Sequence, residues 1–91
     1  MIVDALRSSK KELHGGRVVL FGSRAAGTAR DRSDFDIGEL ANKPIPLADF
    51  MTIEDRLESL PTLFRIDLVD LKRTSERFRE QALSQTEVLL G

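Results

Sequence analysis

Apolar positions in this chain change period several times, and each change marks an element. From Met1 to His14 the spacing of Ile2, Leu6 and Leu13 predicts a helix, with Lys10, Lys11 and Glu12 mostly off the apolar stripe. Gly15-Gly16 ends it, because glycine accepts the left-handed conformation at a helix C-terminus. Arg17–Phe21 is a short apolar run rich in β-branched residues, as expected of a strand buried on both faces. Gly22-Ser23 is a turn, Arg24–Thr28 a possible short helix and Ala29–Ser33 a polar loop. Asp34–Leu40 then alternates acidic and apolar residues, the pattern of a half-buried strand.

The second half repeats the logic. Asn42–Pro46 holds two prolines and reads as a connection. Leu47–Leu60 predicts an amphipathic helix with Leu47, Phe50, Met51, Leu57 and Leu60 on one face, closed by Pro61. Phe64–Leu71 predicts a third strand. Thr74 is a suitable N-cap for a last helix to about Leu89, with Glu76 in its first turn. The order α-β-(α)-β-α-β-α predicts an α/β (α+β) domain: a small mixed sheet of three or more strands with helices packed on it.

Composition narrows this picture. A chain of 91 residues is one small domain, 1–91, which buries a modest share of its surface and gains from a partner subunit. Its 14 basic and 15 acidic residues give a net charge of −1, which argues against a general nucleic-acid binder. Trp and Tyr are absent, so a base-stacking platform is not expected, although five Phe remain. Without cysteine there is no disulfide framework and no thiolate zinc site. No signal-peptide pattern opens the chain, and no apolar run approaches the roughly 20 residues needed to span a bilayer. A cytoplasmic domain with no membrane contact is the expectation.

The chemistry lies in a turn and three acids. In a strand, residues i and i+2 share a face, so Asp34 and Asp36 point together while Phe35 and Ile37 point to the core. Two carboxylates about 4 Å apart repel by about 4 kcal/mol at an effective dielectric near 20, a cost relieved by a cation between them. A hard ion such as Mg²⁺ takes one or two carboxylates plus substrate phosphates. The same parity selects Asp67, opposite in direction to Ile66 and Leu68, over Asp70 as a third ligand. Three carboxylates can hold two metal ions about 3.5–4 Å apart. Gly22 lets the backbone approach a phosphate, and Ser23 adds a hydroxyl and an amide N–H. Arg24 and Arg30 lie close enough in sequence to contact phosphates.

Phe21-Gly22-Ser23-Arg24-Ala25-Ala26-Gly27-Thr28-Ala29-Arg30, followed by Ser33-Asp34-Phe35-Asp36-Ile37, resembles the signature of the minimal nucleotidyltransferases in the DNA polymerase β-like superfamily. Arg65–Leu71 resembles their third-carboxylate strand, and Thr74–Glu80 the last helix of the stand-alone subunit. The resemblance runs from Val18 to about Glu80 and implies a polymerase β palm-like fold. It implies that Gly22 and Ser23 hold nucleotide phosphates and that Asp34, Asp36 and Asp67 bind Mg²⁺. It also implies transfer of a nucleoside monophosphate, often AMP from ATP, to an acceptor hydroxyl. In this family the acceptor is presented by a helical HEPN-type or substrate-binding partner, and some members are antitoxins that bind or adenylylate a HEPN toxin. The chain departs from many relatives at Ala26, where they carry a basic residue, which weakens the phosphate clamp without touching the metal ligands.

The remaining features have simpler readings. His14 is expected to interact with a helix dipole. The Lys72-Arg73…Arg77…Arg79 run is expected to be a solvated face, and Arg56 to pair with acids on its own helix. Leu83, Val88 and Leu90 do not fit one core stripe and are expected to form a patch that a partner covers.

Overall fold

The computed structural model describes residues 1–22 and 35–91. Ser23, Arg24, Arg30 and Asp34, together with the short helix expected at Arg24–Thr28, lie outside the described residues.

A four-stranded sheet in the order β3-β2-β1-β4 is the framework. It is built from β1 (Arg17–Phe21), β2 (Phe35–Leu40), β3 (Ile66–Asp70) and β4 (Glu87–Leu90). β1 pairs antiparallel with β2 and β4, whereas β2 and β3 are parallel, so the sheet is mixed. The parallel pair follows from its connection: α3 (Leu47–Glu58) crosses one face of the sheet between β2 and β3. Helices α1 (Ile2–Arg7) and α2 (Lys10–Leu13) precede β1, and α4 (Glu76–Leu83) precedes β4.

β1 is buried on both faces, as its apolar run predicts. Val18 and Leu20 join Leu6, Leu13, Ile37, Ile53, Leu57 and Leu68 in the main core under α1–α3. Val19 and Phe21 face the other way and meet Leu71 and Ala82 in a smaller core under α4. Alternation then places Asp36 and Leu40 of β2, and Asp67 and Val69 of β3, on the α4 face.

Several expectations need correction. The single helix over Met1–His14 is two. Ser8 and Ser9 both turn their hydroxyls back onto the Ala5 carbonyl, at 2.8 and 2.9 Å, which competes with the helical ladder. The left-handed turn that ends α2 begins one residue earlier than expected, at His14 with φ 51°, and continues through Gly15 with φ 76°.

α3 buries a different stripe from the one expected. Ile53 and Leu57 are fully inside, and Phe50 and Leu60 pack beside them. Leu47 and Met51 are 67% and 52% exposed. At about 100° per residue they point roughly 100° and 140° away from the buried stripe.

The last helix is shorter than expected, and its cap is Ser75 rather than Thr74. Ser75 Oγ accepts from Phe78 N at 3.1 Å, while Thr74 Oγ1 donates to Leu71 O at 2.6 Å and closes a 3₁₀ turn over Leu71–Arg73. α4 stops at Leu83, and residues 87–90 form a strand on the free edge of β1. That strand explains why Val88 and Leu90 fit no helical stripe. Leu90 packs on the main core, whereas Leu83 and Val88 stay 36% and 56% exposed.

Charged residues also do more than solvate a surface. Arg56 reaches off its own helix to Glu12 Oε1 at 2.8 Å and Ser9 Oγ at 2.9 Å, tying α3 to the N-terminal helices. Arg79 donates to the carbonyls of Leu71 and Thr74 at 2.9 and 3.2 Å, and so caps the 3₁₀ turn. His14 Nε2 lies 2.6 Å from Asp49 Oδ2 of α3, a side-chain partner in place of a pure dipole contact.

Candidate active site

β1 ends at Phe21, which stands opposite Asp36 in the antiparallel register. Gly22 follows with φ +77°, the left-handed region that an L side chain occupies only at a cost. A second constraint acts at the same place. A Cβ on Gly22 would lie 2.4 Å from Asp36 Oδ2. The turn backbone and the Asp36 carboxylate are therefore in close approach, possible only without a side chain.

The parallel pairing of β2 and β3 sets Asp36 beside Asp67 in register. Neighbouring strands lie about 4.8 Å apart, so the two carboxylates stand next to each other on the α4 face. Ile66 and Leu68 point into the main core, the parity that selects Asp67. Asp70 has core parity and is 6% exposed. Its Oδ1 accepts from Lys72 N at 3.1 Å and caps the 3₁₀ turn, a structural role.

The structure thus brings together Gly22, Asp36 and Asp67. Asp34, Ser23, Arg24 and Arg30 fall outside the described residues. Among the described residues no group of three or more His, Cys, Asp or Glu could hold a metal. The two described carboxylates nonetheless suit a hard cation, since Mg²⁺ needs only one or two plus substrate oxygens.

Arg65 is a feature of the site that the motif reading left without a role. Its Nε donates to Asp67 Oδ1 at 3.1 Å, and the side chains are 75% and 38% exposed. The signal was available: Arg65 precedes Asp67 by two and shares its face. Two aromatic pairs frame the region. Phe21 meets Phe78 of α4 edge-to-face at 6.2 Å, and Phe35 meets Phe64 at 5.4 Å.

Known proteins share this fold. Residues 7–91 match the family model described as polymerase beta, nucleotidyltransferase. A curated relative from Haemophilus influenzae, "Probable protein adenylyltransferase MntA", is 33% identical over 60 residues, which is 66% of this chain and 53% of the relative. The chain thus spans about half the length of that relative. A crystal structure of a toxin-antitoxin with AMP-PNP superposes with a TM-score of 0.73 at 26% identity, covering 100% of this chain and 74% of that one. A tri-AMPylated Shewanella oneidensis HEPN toxin in complex with its MNT antitoxin contains a chain that matches with a TM-score of 0.66 at 25% identity, covering 99% of this chain and 66% of that one. With the family model spanning nearly every residue, and the fold and paired carboxylates consistent with it, this chain belongs to the polymerase β nucleotidyltransferase family.

Proposed function

We propose that this chain is a Mg²⁺-dependent nucleotidyltransferase catalytic subunit that moves a nucleoside monophosphate, AMP from ATP, onto a hydroxyl of a helical HEPN-type partner. The observation that carries this reading is the in-register pairing of Asp36 with Asp67 beside the Gly22 turn. Support for the nucleotide and the partner comes from relatives: one solved neighbour contains AMP-PNP, and another contains an AMPylated HEPN toxin.

Each residue then has a task. Asp36 and Asp67, with Asp34 from the sequence motif, would hold up to two Mg²⁺ ions. Bound metal supplies charge neutralisation at the triphosphate and lowers the pKa of the attacking hydroxyl. Gly22 keeps the turn backbone low enough for a phosphate to approach. Ser23 would donate to phosphate oxygens, with Arg24 and Arg30 as flanking cations. Arg65 orients the Asp67 carboxylate through its 3.1 Å bond. The partner supplies the acceptor and the walls that exclude water.

The test is transfer of label from α-³²P-ATP to a co-purified partner with Mg²⁺. Transfer is expected with the wild type and is lost with Asp36→Asn or Asp67→Asn. An unlabelled partner together with no Mg²⁺-dependent ATP binding in the wild type would refute the proposal. A second reading, favoured by the toxin-antitoxin neighbours, is an antitoxin that acts mainly by binding its toxin. It predicts that Asp36→Asn still neutralises the toxin in cells. Loss of neutralisation with the complex intact would decide for catalysis.

A further inference from the structure

At the end of the sheet away from Gly22 lies a buried acid that the reaction does not use. Glu39 is 1% exposed, and neither carboxylate oxygen has a hydrogen-bond partner among the described residues. Its walls are close: a Cβ on Gly16 would sit 2.3 Å from Glu39 Oε1, so the glycine backbone lies directly on the carboxyl group. Glu39 of β2 and Asp70 of β3 are register partners in the parallel pair, with side chains of the same parity. Two acids are thus packed side by side, both nearly closed to solvent. A buried, unpaired carboxylate is so costly that such groups ordinarily take up a proton instead.

Asp70 is the better placed of the two to keep the charge. Oδ2 accepts from Ile45 N at 3.0 Å and lies 3.2 Å from Arg73 Nε, and Oδ1 accepts from Lys72 N at 3.1 Å. A carboxylate offers about four acceptor positions, so one remains. Two ionised carboxylates cannot bond to each other, but a protonated Glu39 can donate to that open position.

We propose that Glu39 is held as a neutral carboxylic acid donating to ionised Asp70, and that the pair is a proton-operated latch. It fastens the 41–46 connection and the start of the 3₁₀ turn to the ends of β2 and β3. Asp70 is the hub, because Ile45 belongs to the connection and Lys72 to the turn, and Arg73 also donates to Ile45 O at 3.0 Å. Losing the proton puts two negative charges in one buried place and loosens that hub. The same two strands carry Asp36 and Asp67 three residues upstream, so the latch also steadies their register.

Other titratable and charged groups near Glu39 stand on the neighbouring elements. His14 stands at the end of α2, Arg17 on β1, Lys43 in the connection, Lys72 in the 3₁₀ turn and Arg79 on α4, around a cavity of about 880 Å³. None of these side chains forms an ion pair with Glu39 among the described residues. Burial first, and Asp70 second, raise the Glu39 carboxyl from its ordinary 4.5 to about 7. The folded chain therefore holds this proton more tightly than the unfolded chain. The stabilisation is complete below the ordinary carboxylate value, declines as pH rises toward about 7, and is gone above it. The folding constant is expected to fall by up to about 300-fold across that window.

The experiment compares wild type with Glu39→Gln, whose neutral amide can donate to Asp70 at every pH. Urea unfolding is followed from pH 4.5 to 8.5, and hydrogen exchange at the Ile45 and Lys72 amides is corrected for the intrinsic rate. The wild type is expected to lose stability across the window and to lose protection at both amides above pH 7. Glu39→Gln is expected to lose neither. Equal pH slopes in the two proteins would overturn the latch. Should the variant not fold, ¹³C NMR of the wild-type Glu39 carboxyl decides alone: titration near 7 supports the proposal and an ordinary carboxylate titration overturns it. The outcome is independent of nucleotidyl transfer, which this assay does not read.

Discussion

Replacing Gly22 by Ala places a methyl group where the structure has room for none. Two effects oppose the substitution and one favours it. A left-handed residue with φ +77° costs an L side chain about 1–2 kcal/mol. The new Cβ would lie 2.4 Å from Asp36 Oδ2, so the carboxylate must move away by about 1 Å to restore ordinary contact. Against this, Ala restricts the unfolded chain and returns about 0.4–1 kcal/mol. Strain wins, and a net loss of about 1 kcal/mol is expected. For a domain of this size that lowers Tm by about 4–8 °C. If Asp36 holds metal as proposed, displacing its carboxylate by this distance is expected to weaken Mn²⁺ binding, read by electron paramagnetic resonance with Mn²⁺ in place of Mg²⁺, by at least about tenfold. A double-mutant cycle isolates the cause. In an Asp36→Ala background the clash is gone, so Gly22→Ala should cost less stability there than in the wild type. Unchanged Tm and Mn²⁺ affinity in Gly22→Ala would refute the close approach of turn and carboxylate. So would equal stability costs in the two backgrounds.

Two further substitutions test the packing and charge assignments. Ile53→Ala removes a residue with no exposed surface and is expected to cost about 2–5 kcal/mol, whereas Met51→Ala on the exposed side of α3 should stay within about 0.5 kcal/mol. Chemical denaturation of both variants checks this, and comparable losses would contradict the observed helix rotation. Arg56→Ala removes the bond that holds the Glu12 carboxyl below its ordinary value. A depressed acid stabilises above its unfolded pKa and loses that contribution as pH falls through the folded one. Thermal melts should therefore show the largest gap between wild type and Arg56→Ala near neutral pH and a shrinking gap in acid, while a gap independent of pH would exclude the Glu12 pair as its source.

Legibility in the sequence followed the range of the interactions involved. Local periodicity sufficed for β1 and for the direction of Asp36 and Asp67, because side-chain alternation is a property of the strand itself. The Gly22 turn was readable for the same reason. The face of α3 was less so: five apolar residues were compatible with more than one stripe, and the sheet chose the one centred on Ile53 and Leu57. The split of the first helix was written in Ser8-Ser9, but only as a competition between hydroxyls and amides for one carbonyl.

By itself, then, the sequence determined the turn, the strand parity and the resemblance to nucleotidyltransferases, since all rest on neighbours along the chain. Tertiary structure decided the rest. Residues 87–90 became a strand because β1 had an open edge whose N–H and C=O groups needed partners, a long-range demand no local pattern contains. Arg56 left its helix because Glu12 and Ser9 came within reach only after folding. The fate of Glu39 was decided by pairing it with Asp70 in register under the Gly16 backbone. On an isolated strand it is one more polar residue, and inside the fold it is a buried acid beside a second one.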